Sequence, residues 1–270
     1  MKKLLLIPFL CFSVLHSFAE CAMGALTFFP KQNTISQQSL FIVEAYGFDQ
    51  RLIEAFQKDR KAYLENEEGE KVDLILIEVL YGQKSLTQAV FKPIQKLKLH
   101  KKYYLKITEI PGEFNFSNLT RYNPEIKKRE LVAWEVSESN SDLINSDLCL
   151  EFEKTHVEYY VDGPDAYAIF QPQNKPSSEI WYKTEVYDEQ AKTSSSFILT
   201  EWQGKVQVGH NMCSGAFKFN KDGNYKVRFT PMNIEGKELA TTEWKAFESP
   251  YKNAKNPKEL EVLEILKNSF

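Results

Sequence analysis

From Gly24 onward the chain alternates apolar and polar residues in short runs, separated by clusters of Gly, Asn, Asp, Ser and Pro. A period of two predicts strands, because successive side chains of an extended segment point to opposite faces. In the first half the pattern predicts strands over 40–45, 72–80, 86–91 and 103–109, with Glu68-Gly69-Glu70 as a hairpin turn. In the second half it predicts strands over 131–136, 166–171, 180–187, 197–202, 216–219, 225–230 and 241–247. Helical spacing is scarce. The stretch 48–58 fits either a short helix, through Ile53 and Phe56, or a continued extended segment. After Pro250, Asn256 as a cap, Pro257 at the first helical position and Leu260, Leu263 and Leu266 on one side predict a short C-terminal helix.

The rhythm breaks between Pro111 and Lys128, where prolines, several Asn and the basic run Lys127-Lys128-Arg129 read as a linker. The fold class expected is therefore all-β: two tandem antiparallel β-sandwich domains over 20–111 and 131–250, joined by 112–130 and followed by the helix or tail over 251–270. An internal echo supports two copies of one architecture. Leu97 precedes Tyr103 by the same interval as Phe219 precedes Tyr225, and each tyrosine opens an alternating run. At a sandwich corner such a ring buries while its hydroxyl reaches back to the main chain, which leaves no unsatisfied polar group.

These two tyrosine corners resemble those of the fibronectin type III and immunoglobulin-like superfamily. The second half, through Gly163-Pro164, Cys213-Ser214-Gly215, Gly223-Asn224-Tyr225 and Trp244-Lys245-Ala246-Phe247, is also similar to sandwich domains of uncharacterised secreted bacterial proteins. That resemblance implies fold and compartment and brings no activity with it. The sequence departs from true immunoglobulin domains at the bridge: Trp181 lies far beyond Cys149, and Asn211 stands where a tyrosine would precede the second cysteine.

Residues 1–19 read as a secretory signal, with Lys2 and Lys3 before an apolar run and Ser17-Phe18-Ala19 at a cleavage site after Ala19. The run contains Pro8 and Ser13 and falls short of the roughly 20 residues a spanning helix needs. The expectation is an exported protein, secreted, periplasmic or at the cell surface, and its Lys-Lys-Leu start looks bacterial. In a glycosylating host Asn115 and Asn118 would head acceptor sequons. Of 4 cysteines, Cys11 leaves with the signal. Cys149 and Cys213 are the expected disulfide, worth on the order of 4 kcal/mol by chain entropy. Cys21 is then a spare thiol or, less in keeping with the bulky Glu20 before it, a lipidation site.

The 270 residues are 43% hydrophobic and 26% charged, with 19 Phe, 13 Tyr and 4 Trp, a composition that folds and excludes collagen, coiled-coil and disordered classes. A net charge of −3 offers no chain-wide attraction to nucleic acid. The chemical candidates each have a plainer explanation. His210-Asn211-Met212-Cys213 contains soft-metal ligands, but its spacing matches no metal motif. Cys213 with His210 or His156 could form a thiolate pair, yet no nucleophile signature surrounds them. Asp162 with Asp165, and Glu151 with Glu153, are acid pairs of unknown separation. Asn220 to Asn224 looks like the start of a calcium loop without its closing acid, and is read as a turn in which Gly223 or Asn224 supplies a positive φ. The basic group Lys98, His100, Lys101 and Lys102 and the run at Lys127 read as solvated edges.

No catalytic, cofactor or metal site is therefore expected. The reading is a non-enzymatic binding, adhesion or structural module of the cell envelope or extracellular space, with a protein or glycan partner and no nucleic acid. The alternative is a periplasmic chaperone-like assembly factor that uses a sandwich edge strand, and a third is an unrecognised hydrolase.

Overall fold

A computed structural model describes residues 21, 23–109, 119–123, 126–138, 147–160, 162–252 and 254. The signal segment, the C-terminal helix and both sequon asparagines lie outside the described residues. The protein is mostly β, in several antiparallel sheets. The elements run β1 (Gly24–Phe29), β2 (Thr34–Ile35), β3 (Phe41–Gly47), α1 (Gln50–Phe56), β4 (Ala62–Asn66), β5 (Lys71–Tyr81), β6 (Leu86–Pro93) and β7 (Lys102–Ile107). There follow β8 (Thr120–Asn123), β9 (Lys128–Leu131), β10 (Ala133–Val136), β11 (Cys149–Tyr160), β12 (Gly163–Gln173) and β13 (Ile180–Asp188). The last are β14 (Thr193–Thr200), β15 (Val206–His210), β16 (Asn224–Asn233) and β17 (Lys245–Glu248).

The first half builds an eight-stranded sheet in the order β1-β3-β6-β5-β4-β7-β10-β2. Its pivot is β5, which pairs with β4 through Lys71 to Asp73 and with β6 through Leu74 to Tyr81, with a bulge between Leu76 and Glu78. A bulge bends a strand and strengthens its twist. The sheet accordingly doubles back, and Phe41 of β3 meets Trp134 of β10 edge to face at 4.9 Å although the two strands are far apart in the order. The ambiguous stretch near Phe48 is helical because Leu52, Ile53 and Phe56 share one face and bury it, with Phe56 standing 5.0 Å from Phe91 of β6.

The second half contains the sheets β11-β12-β15 and β14-β13-β16-β17. Phe170 of β12 joins their inner faces, packing on Phe229 of β16 at 5.0 Å and on Phe247 of β17 at 6.4 Å. Both tyrosines singled out in the sequence are buried, and their hydroxyls accept from the main chain five residues upstream. Lys98 N–H donates to Tyr103 (3.2 Å) and Asn220 N–H to Tyr225 (2.6 Å).

Several expectations are corrected. The strand at 133–136, expected to open the second half, is hydrogen-bonded to β7 and, in parallel, to β2, so it belongs to the eight-stranded sheet. Residues 216–219 do not form a strand. Their alternation reflects burial of Ala216, Phe217 and Phe219 in a segment held by single hydrogen bonds from Gln83 N–H to the Ala216 carbonyl and from Phe217 N–H to that of Gly209. Neither Gly223 nor Asn224 has positive φ. Gly223 is needed for space instead, because a Cβ there would lie 2.4 Å from the Tyr225 hydroxyl.

A seam of polar groups joins the halves. The main chains of Lys84 and Gly215 exchange hydrogen bonds of 3.1 and 2.8 Å, Leu40 N–H donates to the Ile234 carbonyl (2.7 Å), and Glu179 accepts from the amides of Lys31 and Gln32. Gln88, 1% exposed, donates to both Glu44 (2.8 Å) and the Ile198 carbonyl (2.9 Å), while its own oxygen has no partner. Glu44 keeps some accessible surface, yet desolvation dominates and raises its pKa above the usual 4.5, against the opposing pull of Gln88 and Lys31.

Two outcomes are expected in urea titrations. Tyr225→Phe strands the Asn220 amide and should cost about 1 to 2 kcal/mol, with a smaller loss for Tyr103→Phe, whose hydrogen bond is longer. For Glu44 the raised native pKa means that the native state holds the proton more tightly than the unfolded chain. Its contribution is fully present below the unfolded value and is lost as pH rises through the native one. Glu44→Gln removes that loss and offers a donor to the orphaned Gln88 oxygen. It should stabilise by about 1 kcal/mol near neutral pH, with the gain shrinking as the pH falls through the raised native pKa towards the usual 4.5.

Candidate functional site

The cluster His210-Asn211-Met212-Cys213 forms a tight loop at the end of β15. The Asn211 side-chain oxygen accepts from the amides of Cys213 and Ser214 (both 2.7 Å), the Asn211 amide donates to Ser214, and Gly215 bridges back to His210. Asp165 of β12 accepts the Met212 amide (2.6 Å). The bridge expected between Cys149 and Cys213 is not present. Cys213 pairs with Cys21, at a Cα separation of 5.5 Å, and Cys149 is a free, exposed thiol at the first position of β11. Spacing along the chain could not reveal this, because the loop faces the start of β1 and not the outer edge of the sheet. A disulfide also removes Cys21 from lipidation and Cys213 from any thiolate or metal-ligand role.

The polar groups around the loop are mutually satisfied. His210, 6% exposed, is held below its usual pKa, chiefly by burial and also by Lys84, with the Asn211 carbonyl pulling the other way. The neutral ring then donates from Nδ1 to the Asn211 carbonyl (2.9 Å) and accepts the Tyr251 hydroxyl at Nε2 (3.0 Å). Burial in turn pushes Tyr251 up to about 12. Lys84 reaches across the seam to the same Asn211 carbonyl (2.9 Å), and burial with Lys218 lowers its pKa. With both ring nitrogens engaged and the sulfur oxidised, this arrangement fastens the loop to the first half.

The remaining candidates lie apart. His156, Glu151 and Glu153 are on β11, where Glu153 binds Lys205 and Glu151 meets Gln173. Asp162 lies in the turn before β12 and is exposed. Lys98 and Lys101 are paired with Glu70 and Glu68 of the β4–β5 turn, Lys102 covers the Tyr104 ring, and Arg129 is held by Thr120. Exposed pairs of this kind fix side chains more than they stabilise. Among the described residues no group of three or more His, Cys, Asp or Glu is placed to hold a metal.

A further accessible feature is β11, which sequence reading missed. It is the longest strand, pairs only with β12 among the described residues, and is exposed from Glu151 to His156. A bulge between Phe152 and Lys154 shifts its phase, so that Leu150 and Phe152 fall on one parity and Val157 and Tyr159 on the other. That shift hides the period of two.

Reduction of Cys21–Cys213, or Cys213→Ser, releases a loop of 192 residues and should lower stability by as much as about 5 kcal/mol in the chain-entropy model. The shift in urea midpoint with and without reductant measures it, and Cys149→Ser should leave that midpoint within experimental error.

No family model matches the chain, and no curated protein matches it in sequence. Among solved structures, similarity is found to a pullulanase from Anoxybacillus sp. LM18-11 at 10% identity and TM-score 0.24, covering 82% of this chain and 25% of that one. A cytokine receptor complex matches at 8% identity and TM-score 0.25, covering 86% and 98%. A DUF4785 family protein from Legionella pneumophila matches at 8% identity and TM-score 0.24, covering 86% and 58%. The chain thus spans a quarter of the pullulanase's length.

Proposed function

We propose that the protein is an exported, non-enzymatic binding module of the cell envelope or extracellular space. In this reading it is built of two immunoglobulin-like sandwiches and engages a partner protein by strand addition along β11. The observation that carries the reading is the outer edge of β11, twelve residues long and unpaired among the described residues, which leaves a row of main-chain donors and acceptors for an incoming strand. The bulge and the charges of Glu151, Lys154, His156 and Glu158 discourage indiscriminate pairing of this edge, so a partner has to match them. Lys205 already neutralises Glu153, whereas Glu151 meets Gln173 and Glu158 meets Tyr160 and His156, none of them a lysine or arginine, so these two acids favour a strand carrying basic residues opposite them. The disulfide supports an oxidising compartment. The length of the edge also suits a periplasmic assembly factor that holds a client strand and later releases it.

The exposed Cys149 thiol provides a handle for a photo-crosslinker at one end of this strand. Partners captured from envelope and culture fractions are purified and recombined with the protein for hydrogen exchange. The outward amides of β11 should exchange quickly in the free protein and slow by about tenfold or more in the complex. Protection confined to other strands would rule out β11 as the contact. Spontaneous exchange of the partner for a second client would favour the assembly factor.

A further inference from the structure

A cavity of about 240 Å³ opens on the seam, between β2 and the chain after β10 on one side and the turns at Ser178 and Ile234 on the other. Its chemistry follows from a turn that occurs twice in the chain. In Asn66-Glu67-Glu68-Gly69-Glu70 the Asn66 side-chain oxygen accepts from the amides of Glu68 and Glu70, and Gly69 N–H donates to the Asn66 carbonyl at positive φ. In Asn233-Ile234-Glu235-Gly236-Lys237 the same bonds recur: Asn233 accepts from Glu235 and Lys237, and Gly236 N–H donates to the Asn233 carbonyl at positive φ. The copies differ at the last position. Asn66 donates its amide to the Glu70 carboxylate (2.8 Å), whereas Lys237 offers no acceptor.

The Asn233 residue is 5% exposed and lines the cavity, and its amide nitrogen donates to none of the described residues. The Ser178 hydroxyl, also on the cavity wall, is enclosed without any hydrogen-bond partner. The Ser178 hydroxyl is closed off, but the Asn233 amide keeps surface open to the cavity, where a ligand or water completes its bonding. The nearby carboxylates are already compensated. Glu179 accepts from two amides and from the Trp181 indole N–H, and Glu235 has Lys237 at 3.1 Å. Ile35 and Ile234 provide an apolar wall.

A free donor beside an apolar wall, with both carboxylates already engaged by other donors, suits a neutral polyhydroxylated ring. An anionic ligand would meet Glu179 and Glu235 with no cation among the lining residues. We infer that this cavity is a carbohydrate site for one neutral pyranose unit, free or at the end of a glycan, with Asn233 donating to one ring hydroxyl and the ring lying against Ile35 and Ile234. The site is separate from β11 and does not depend on the strand-addition reading.

The test is an NMR titration of the full mature protein with glucose, galactose, N-acetylglucosamine and their methyl glycosides, alongside glucuronic acid and glucosamine. At least one neutral sugar should give saturable shifts at cavity residues, at concentrations up to about tens of millimolar. Uptake of methyl glycosides identifies a glycan terminus, and uptake of free sugars alone identifies a monosaccharide. Asn233→Asp keeps the turn acceptor and removes the donor, and should weaken binding about tenfold. Ser178→Ala should leave binding unchanged while raising the thermal midpoint by about 2 °C, because it deletes an enclosed, unsatisfied hydroxyl. The titration of the unsubstituted protein keeps the test decisive if the aspartate is poorly tolerated. No saturable shift with any neutral sugar, affinity unchanged in a folded Asn233→Asp, or preference for a charged sugar would overturn the inference.

Discussion

Two hydrogen bonds between the main chains of Lys84 and Gly215 set the closest approach of the two halves, and the neighbouring cross-seam contacts form only at that distance. Gly215 lies between His210 and Lys84, so a Cβ there would fall 2.2 Å from the His210 Cβ. The facing Gly82 is under a similar limit, with the Gly215 carbonyl 2.8 Å from where its Cβ would stand. Polar side chains cross the seam around this contact, Lys84 among them. Gln83 accepts the Lys218 amide and donates to Ser195, while Gln88 sends its amide to Ile198. Contacts between main chains leave little freedom for sliding, in contrast to the looser polar interfaces common between tandem domains.

The interior polarity of the protein is spent largely on fixing irregular backbone. Asn66, Asn233 and Asn211 each use a side-chain oxygen to hold two amides of a turn, and Tyr103 and Tyr225 each hold one. Such bonds contribute about 1 kcal/mol apiece when made and cost more when broken. They explain why a chain with so many turns keeps defined corners. Glu44 and the Gln88 oxygen are exceptions, and both lie on the seam, where geometry is dictated by the main-chain pairing and not by local satisfaction.

The sequence made the regular, half-buried strands readable. The alternation at β7, at β16 and at the start of β5 coincides with one buried and one more open face, β3 and β6 read as short apolar runs buried on both faces, and both tyrosines lie where their spacing from Leu97 and Phe219 placed them. What it concealed has separate physical causes. β2 is two residues long, too short to show any period, and joins β10 in parallel from a distant part of the chain. β11 is masked by its bulge and its polar character. The pairing of Cys213 depends on where β1 begins in space, and the freed amide of Asn233 becomes visible only when its turn is set beside the one at Asn66.

The bridge from Cys21 to Cys213 has a consequence for biosynthesis. A chain synthesised from its N-terminus presents Cys21 first, Cys149 next and Cys213 last, so the native partner is the final one to arrive. Throughout that interval Cys149 is the competing thiol. A premature Cys21–Cys149 linkage has to be undone by thiol–disulfide exchange before the loop can dock on Lys84. Correct maturation is therefore timed by the last fifth of the polypeptide, and an exchange-competent environment, more than a strongly oxidising one, governs the yield of correctly bridged protein.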